Sequence, residues 1–192
     1  MRSTHTHCLG ATYLGKYGDS ALVDAAALLG PAYDLEMAFQ RLSASSPLLD
    51  RHILGAMKKL WCTKKLEALI EYEEPRLKEA LRATLDARSS HEFVVAAHPF
   101  AGASTIKEYY EAHNPVLHMG GITKPTLVLN ALDDPVCLRE NIPANGVASA
   151  ALLLTKKGSH VAFLDGFFGE RCWMMDLTVQ FMNAAREELQ HR

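Results

Sequence analysis

The hydrophobic positions along the chain follow two different periods. Residues 21–30 (ALVDAAALLG), 126–130 (TLVLN) and 147–155 (VASAALLLT) are short apolar runs set off by turn formers. Asp19-Ser20 and Gly30-Pro31 bound the first, and Asp133-Asp134-Pro135 follows the second. Runs of this length read as strands buried on both faces, the pattern of a parallel sheet, although the first also fits a buried helix. Between the first and second runs the period changes. Residues 50–87 carry apolar residues at i, i+3 and i+4 among many charges, which predicts two or three amphipathic helices interrupted near Pro75. Shorter helical patterns occupy 9–18, stopped at Gly18, and 31–42, with Asp34 as N-cap and Leu35, Phe39 and Leu42 at helical spacing. Residues 171–190 predict a closing helix with Trp173, Leu177 and Phe181 on one side. Strands alternating with helices of these lengths imply an α/β fold: about three parallel strands, flanking helices, and a helical insertion over 43–114 of the kind that lies on a sheet as a cap.

Composition narrows the class. A chain of 192 residues, 48% hydrophobic and 22% charged, has the makeup of a soluble globular domain. A formal net charge of -2 points away from nucleic acid and anionic membranes as partners. No apolar run approaches the ~20 residues of a membrane span, and residues 1–10 (MRSTHTHCLG) lack the apolar core of a signal peptide. The four cysteines, Cys8, Cys62, Cys137 and Cys172, are scattered, which fits free thiols in a reducing compartment, cytoplasmic by default. His5, His7 and Cys8 have metal-binding chemistry, but no second ligand cluster accompanies them. The expectation is a mobile terminus, with no metal and no cofactor.

Titratable residues gather at two strand ends. The second run ends in Asn130-Ala-Leu-Asp133-Asp134-Pro135 and the third in Lys157-Gly-Ser-His160. In a parallel sheet both ends open on one edge, where such folds place their chemistry. An acid that orients a histidine and stabilises its imidazolium is two thirds of a serine-hydrolase triad, and acid before histidine is the α/β-hydrolase order. The competing assignment is that Asp133 and Asp134 merely cap a following helix, as acids before proline do. Asp134 is the first choice for the acid, with Asp133 as a cap or a support.

Several segments together resemble the C-terminal half of the YheT-type α/β-hydrolases. They are EFVVAAHPFAG (92–102), KEYYEAHNP (107–115), ITKPTLVLNALDDP (122–135) and KKGSHVAFLDG (156–166), with YLGKYGD (13–19) and PAYDLEMAF (31–39) preceding them. That subfamily also takes in plant embryogenesis-associated hydrolases and several animal lipid esterases. The resemblance covers nearly the whole chain from Tyr13. It implies that Asp134 and His160 are acid and base in hydrolysis of a carboxylic ester of a lipid or medium acyl chain.

The same resemblance requires a serine in a G-x-S-x-G turn, and none occurs in the 192 residues. Registration on Tyr13-Leu14-Gly15 puts Thr4 at the nucleophile position with Ser3 beside it, and neither has a flanking glycine. Gly18-Asp19-Ser20 is completed by Leu22 and reads as a turn. Gly102-Ala103-Ser104 is followed by Ile106, so Ser104 is expected to cap a helix and is only a weak alternative nucleophile. Cys8 lacks a fixed basic neighbour. His98 and His118 are each expected in a loop or in the cap, Lys156 and Lys157 at a solvated strand end. Tyr109 and Tyr110 suit either an acyl pocket or packing of cap on core. Three functions follow as expectations: an ester hydrolase, a non-catalytic truncated form serving as an interaction module, or a half that needs a complementing N-terminal half. A targeting or anchor segment would lie in that missing half. Each predicts an exposed edge on the first strand, open to self-association or a partner chain.

Overall fold

A computed structural model describes residues 4–70, 74–143, 150–166 and 169–191, with the side chains of 4–7 and 62–70 outside the description. The chain divides into two compact units, Met1–Ala38 with Asn114–Arg192, and Phe39–His113.

The first unit holds the sheet. Among the described residues, β1 (Ala26–Leu29), β2 (Thr126–Ala131) and β3 (Ala150–Thr155) form one three-stranded sheet in the order β1-β2-β3. Both pairings are parallel, with Leu28 opposite Val128 and Val128 opposite Leu152. Helices α1 (Thr4–Tyr17) and α7 (Trp173–Gln190) belong to the same unit, completing a partial α/β architecture. All six β2 residues are buried, the position of a central strand whose apolar side chains are covered on both faces.

Its two neighbours are less regular than their sequences suggest. Pairing of β1 begins only at Ala26, whose N–H reaches the Pro125 carbonyl. Pro125 has no N–H to return, so the ladder stops there. Residues 21–25 are outside the ladder: Ala21 is buried with its N–H on the Gly18 carbonyl, and Leu22 is 93% exposed with its N–H on the Tyr13 hydroxyl. The third run, expected to be buried, lies at the edge of the described sheet and leaves Leu153 and Leu154 exposed.

One core cluster joins Ala11 and Leu14 of α1 to Leu28, Tyr33, Val128, Met119, Ile122 and two cysteines, Cys8 and Cys137. The expected mobile terminus is therefore helical from Thr4 and buries Cys8, whose thiol donates to the Ala32 carbonyl. Burial pushes the Cys8 thiol from 9.0 up to about 11, and burial followed by the neighbouring Asp134 charge also raises Cys137. A thiol raised in the folded state contributes stability that is complete below its ordinary value of 9.0 and is lost as pH climbs toward 11. Peptide-mapped alkylation at neutral pH is expected to modify half-buried Cys172 first and Cys8 and Cys137 only as the chain opens. Equal native rates at Cys8 and Cys172 would contradict this burial.

Against the end of β2, Phe163 packs edge-on to Trp173, centroids 5.2 Å apart, in a second cluster with Leu129, Ala131 and Met174. A short antiparallel pair, β4 (Leu164–Asp165) with β5 (Arg171–Cys172), leads into α7. The helix carries Trp173, Leu177 and Phe181 half-buried, while Met174 and Ala185 are its buried positions.

Helix α2 (Leu35–Ser45) starts in the first unit, with the Asp34 carboxylate accepting from Met37 N–H as N-cap, and runs into the second. The second unit adds α3 (Pro47–Ile70), α4 (Pro75–Asp86), α5 (Ser90–Ala97) and α6 (Ile106–His113). Pro75 occupies the first turn of α4, where its missing N–H costs nothing. Leu54, Ala87 and Phe93 form the unit's core, with Trp61 edge-on to Phe93. Buried Asp50 ties three helices together: its carboxylate accepts from the Ser90 hydroxyl and N–H and from the Ser43 hydroxyl. The Lys58 ammonium donates to the Leu85 and Ala87 carbonyls at the end of α4, satisfying groups the helix leaves open.

Candidate active site

The end of β2 is organised by side chains that grip backbone. Asn130, fully buried, donates to the Pro31 carbonyl at 3.2 Å and accepts from the Tyr33 hydroxyl at 2.6 Å. Asn141 accepts from the N–H groups of Tyr33 and Asp34 and donates to the Asp34 carbonyl. Asn114 accepts from Leu35 N–H and donates to the Asp34 carboxylate. Buried amides with both ends satisfied fix a loop in one conformation. Here they hold the segment after β1 against the end of β2.

The acid turn follows at once. Among the described residues between Asp134 and β3 there is no α-helix; the chain makes a tight turn and a single 3-10 turn at Arg139–Asn141. The Asp134 side chain has no exposed surface. Its Oδ1 accepts from the N–H groups of Val136 at 2.7 Å and Cys137 at 2.9 Å, closing the turn. Its Oδ2 lies 2.8 Å from Nδ1 of His160. One carboxylate oxygen thus closes the turn and the other faces the imidazole; the helix of the capping assignment is not there among the described residues. Against an ionised carboxylate, which only accepts, a neutral imidazole would carry its proton on Nδ1 and present a lone pair on Nε2. Nε2 is buried and has no hydrogen-bond partner among the described residues. A buried polar atom left without a partner is uncommon and calls for a reason.

The histidine loop reaches this position through close backbone contacts. At Gly30, where φ is +60°, an added Cβ would stand 2.7 Å from the His160 carbonyl oxygen. The glycine that marks the end of β1 is therefore also the floor under His160. A Cβ on Gly158 would meet the Phe163 ring at 2.4 Å. Asp133 faces the same loop, with Oδ1 accepting from Ser159 N–H at 2.9 Å and Oδ2 3.9 Å from the exposed Lys157 ammonium.

The remaining candidates fall elsewhere. Ser104 belongs to the helical unit, the one that does not contain Asp134 and His160. It is not the cap of α6. Thr105 accepts from Glu108 N–H, and the Glu108 carboxylate reaches back to the N–H groups of Thr105 and Ser104. That is a capping box centred one residue later than expected, because Thr105 has the glutamate three positions ahead. The Ser104 carbonyl accepts from Arg76. Gly18–Ser20 is a 3-10 turn, with the Ser20 hydroxyl on the Tyr17 carbonyl. His98 is bonded to the Val95 carbonyl, and His118 lies in the turns before β2. Tyr109 and Tyr110 stack edge-on within α6. Ser3 and the side chains of Thr4, His5, His7 and Cys62 lie outside the described residues. Among the described residues no group of three or more side chains has metal-binding placement, and no helix is long and apolar enough to cross a membrane.

The sequence did not reveal the role of Gly30 or of the buried asparagines, and it left Asp133 as a cap or a support without identifying the Ser159 N–H it holds. Asn130 carried a faint signal, an amide closing an otherwise apolar run. The partners of Asn114 and Asn141 are some 80 to 108 residues away in sequence, out of reach of any local pattern.

No protein-family profile matches the chain. It is similar to the Mus musculus protein named Phospholipase ABHD3, 28% identical over 183 residues, which cover 91% of this chain and 43% of that protein. The Danio rerio protein named Monoacylglycerol lipase ABHD2 is 31% identical over 101 residues, 48% of this chain and 24% of its own. The Saccharomyces cerevisiae protein named Medium-chain fatty acid ethyl ester synthase/esterase 2 is 29% identical over 176 residues, 81% of this chain and 39% of its own. The chain spans less than half the length of these curated relatives. Lipases and esterases as relatives, on a chain with a parallel α/β sheet, support a relationship to the α/β-hydrolase superfamily.

Proposed function

We propose that this chain is the C-terminal half of a YheT-type α/β-hydrolase for carboxylic esters of lipids, contributing the acid Asp134 and the base His160. The observation that carries this is the 2.8 Å contact of His160 Nδ1 with a buried carboxylate, together with a buried Nε2 that has no partner among the described residues. In this role Nε2 takes the proton of a serine hydroxyl as the oxygen attacks the ester carbonyl, and Asp134 stabilises the imidazolium that forms. Nε2–H then protonates the departing alkoxide, and water repeats the cycle on the acyl-enzyme. The serine comes from outside these 192 residues, which contain no G-x-S-x-G. The helical segment around 43–114 serves as the cap, and Ser104 takes no part.

A non-catalytic interaction module, self-associating or pairing with another chain, is the second reading. It is favoured by the outer edge of β1, which has no strand partner among the described residues, and by Leu22 and Val23 exposed just before it.

Fluorophosphonate labelling of the tagged gene product in its own cells separates the two, with the modified serine mapped by mass spectrometry. The expected label lies on a G-x-S-x-G serine outside residues 1–192, in the same polypeptide or a co-purifying one, and His160→Gln suppresses it. Labelling of Ser104, or labelling indifferent to His160→Gln, would overturn the assignment. No labelled serine on any species carrying the chain would favour the interaction module.

A further inference from the structure

Ser159 is the only non-glycine residue with positive φ among the described residues, at φ +51°. It immediately precedes His160. Side chains with a Cβ avoid the left-handed region, and serine has less to offset it than asparagine or aspartate. Backbone held in such a region persists when the surroundings impose it. On the far side of the turn, Ala162 N–H closes onto the Gly158 carbonyl at 3.0 Å, and Gly158 is pressed against the Phe163 ring. On the near side the hold comes from Asp133, whose carboxylate accepts from Ser159 N–H at 2.9 Å. That bond fixes the peptide plane from which the left-handed turn starts. The ion pair of Asp133 with Lys157 does not account for its placement. It is 3.9 Å long, and the lysine side chain is 90% exposed, so solvent screens it.

From this geometry we infer that Asp133 is a positioning residue for His160. By clamping Ser159 in the left-handed conformation, it sets the imidazole on Asp134 and leaves Nε2 bare. Adjacent acids thus divide the work: Asp134 meets the ring, and Asp133 meets the backbone that delivers the ring. This rests on the Asp134–His160 pairing proposed above and adds the device that maintains it. Without Asp133 the turn keeps only its far-side hold, Ser159 can relax out of the left-handed region, and the ring drifts from Oδ2. A glycine at 159 adopts the same conformation unaided, which gives the inference a specific rescue.

The test is the tautomer ratio of His160, read from nitrogen-15 couplings in the 192-residue chain with the ring neutral. Asp133→Ala is expected to shift the ratio from the Nδ1–H form toward Nε2–H by roughly tenfold, the factor equivalent to about 1.4 kcal/mol. Asp133→Ala combined with Ser159→Gly is expected to restore the wild-type ratio, which a generally loosened loop would not do. Asp133→Asn keeps an acceptor oxygen and is expected to stay near wild type; it is the variant to read if Asp133→Ala fails to fold. A wild-type ratio in Asp133→Ala, or no rescue by Ser159→Gly, would overturn the positioning role. A wild-type ring that is Nε2–H from the start would instead overturn the pairing beneath it.

Discussion

In the proposed ester-hydrolase role, Asp134→Asn is expected to cut turnover by about 10⁴-fold, in whatever assembly supplies the serine, while leaving the fold close to wild-type stability. The two oxygens of Asp134 do separate jobs. Oδ1 accepts two backbone N–H groups, from Val136 and Cys137. An asparagine keeps its oxygen there, because turning its NH2 toward two donors would set three donors against one another. The NH2 then faces His160 and demands a lone pair on Nδ1. The ring must carry its proton on Nε2, the atom that has to receive one, and the base is lost with little change in packing. Asp134→Ala does something different. It leaves two turn N–H groups and the imidazole without their acceptor, and should lower stability by about 3–5 kcal/mol. Urea unfolding alongside turnover distinguishes them. If asparagine and alanine are equally stable, the turn does not depend on Oδ1; if asparagine is active, Asp134 does not set the tautomer.

Phe163→Ala is expected to be the most damaging core substitution near the site, at about 3–5 kcal/mol. The ring is 1% exposed, rests edge-on against Trp173 and fills the space beside Gly158. It lies three residues after His160, so its removal opens a cavity beneath the loop that carries the base. The His160 ring should lose its single orientation as well as the fold its stability. Phe163→Leu, with less volume lost, should cost a fraction of this. Leu22→Ala provides the contrast: at 93% exposure it should change stability by less than about 0.5 kcal/mol. A Phe163→Ala chain as stable as Leu22→Ala would mean the loop does not pack as described.

The strands were legible in the sequence where pairing and pattern agree. Residues 126–130 are apolar, unbroken and ended by acids, and β2 forms there with one residue more. Residues 21–30 are as apolar, yet only four are paired, because the ladder depends on Pro125, a hundred residues away. Residues 147–155 looked buried because leucine runs usually are; the place of β3 in the sheet, not its composition, sets its exposure. The site divides in the same way. Asp134 and His160 stood out because strand ends and chain order are written locally. Gly30 and the asparagines act across loops, through backbone groups that every residue has, so Asn130 leaves only a faint mark, and Asp133, legible as a cap or a support, shows its target only in the bond from Ser159 N–H. Ser104 shows the converse error: one serine beside another plausible cap, decided only by which of them has a glutamate at the right spacing.

His160 can act as a base toward a serine only with its proton on Nδ1 and Nε2 bare. Nitrogen-15 spectra of His160 in the 192-residue chain, recorded with the imidazole neutral, should show a proton on Nδ1 and a bare Nε2 in the wild type, and the reverse in Asp134→Asn. A proton on Nε2 in the wild type, or the same tautomer in both proteins, would contradict the claim that Asp134 prepares His160 to act as a base.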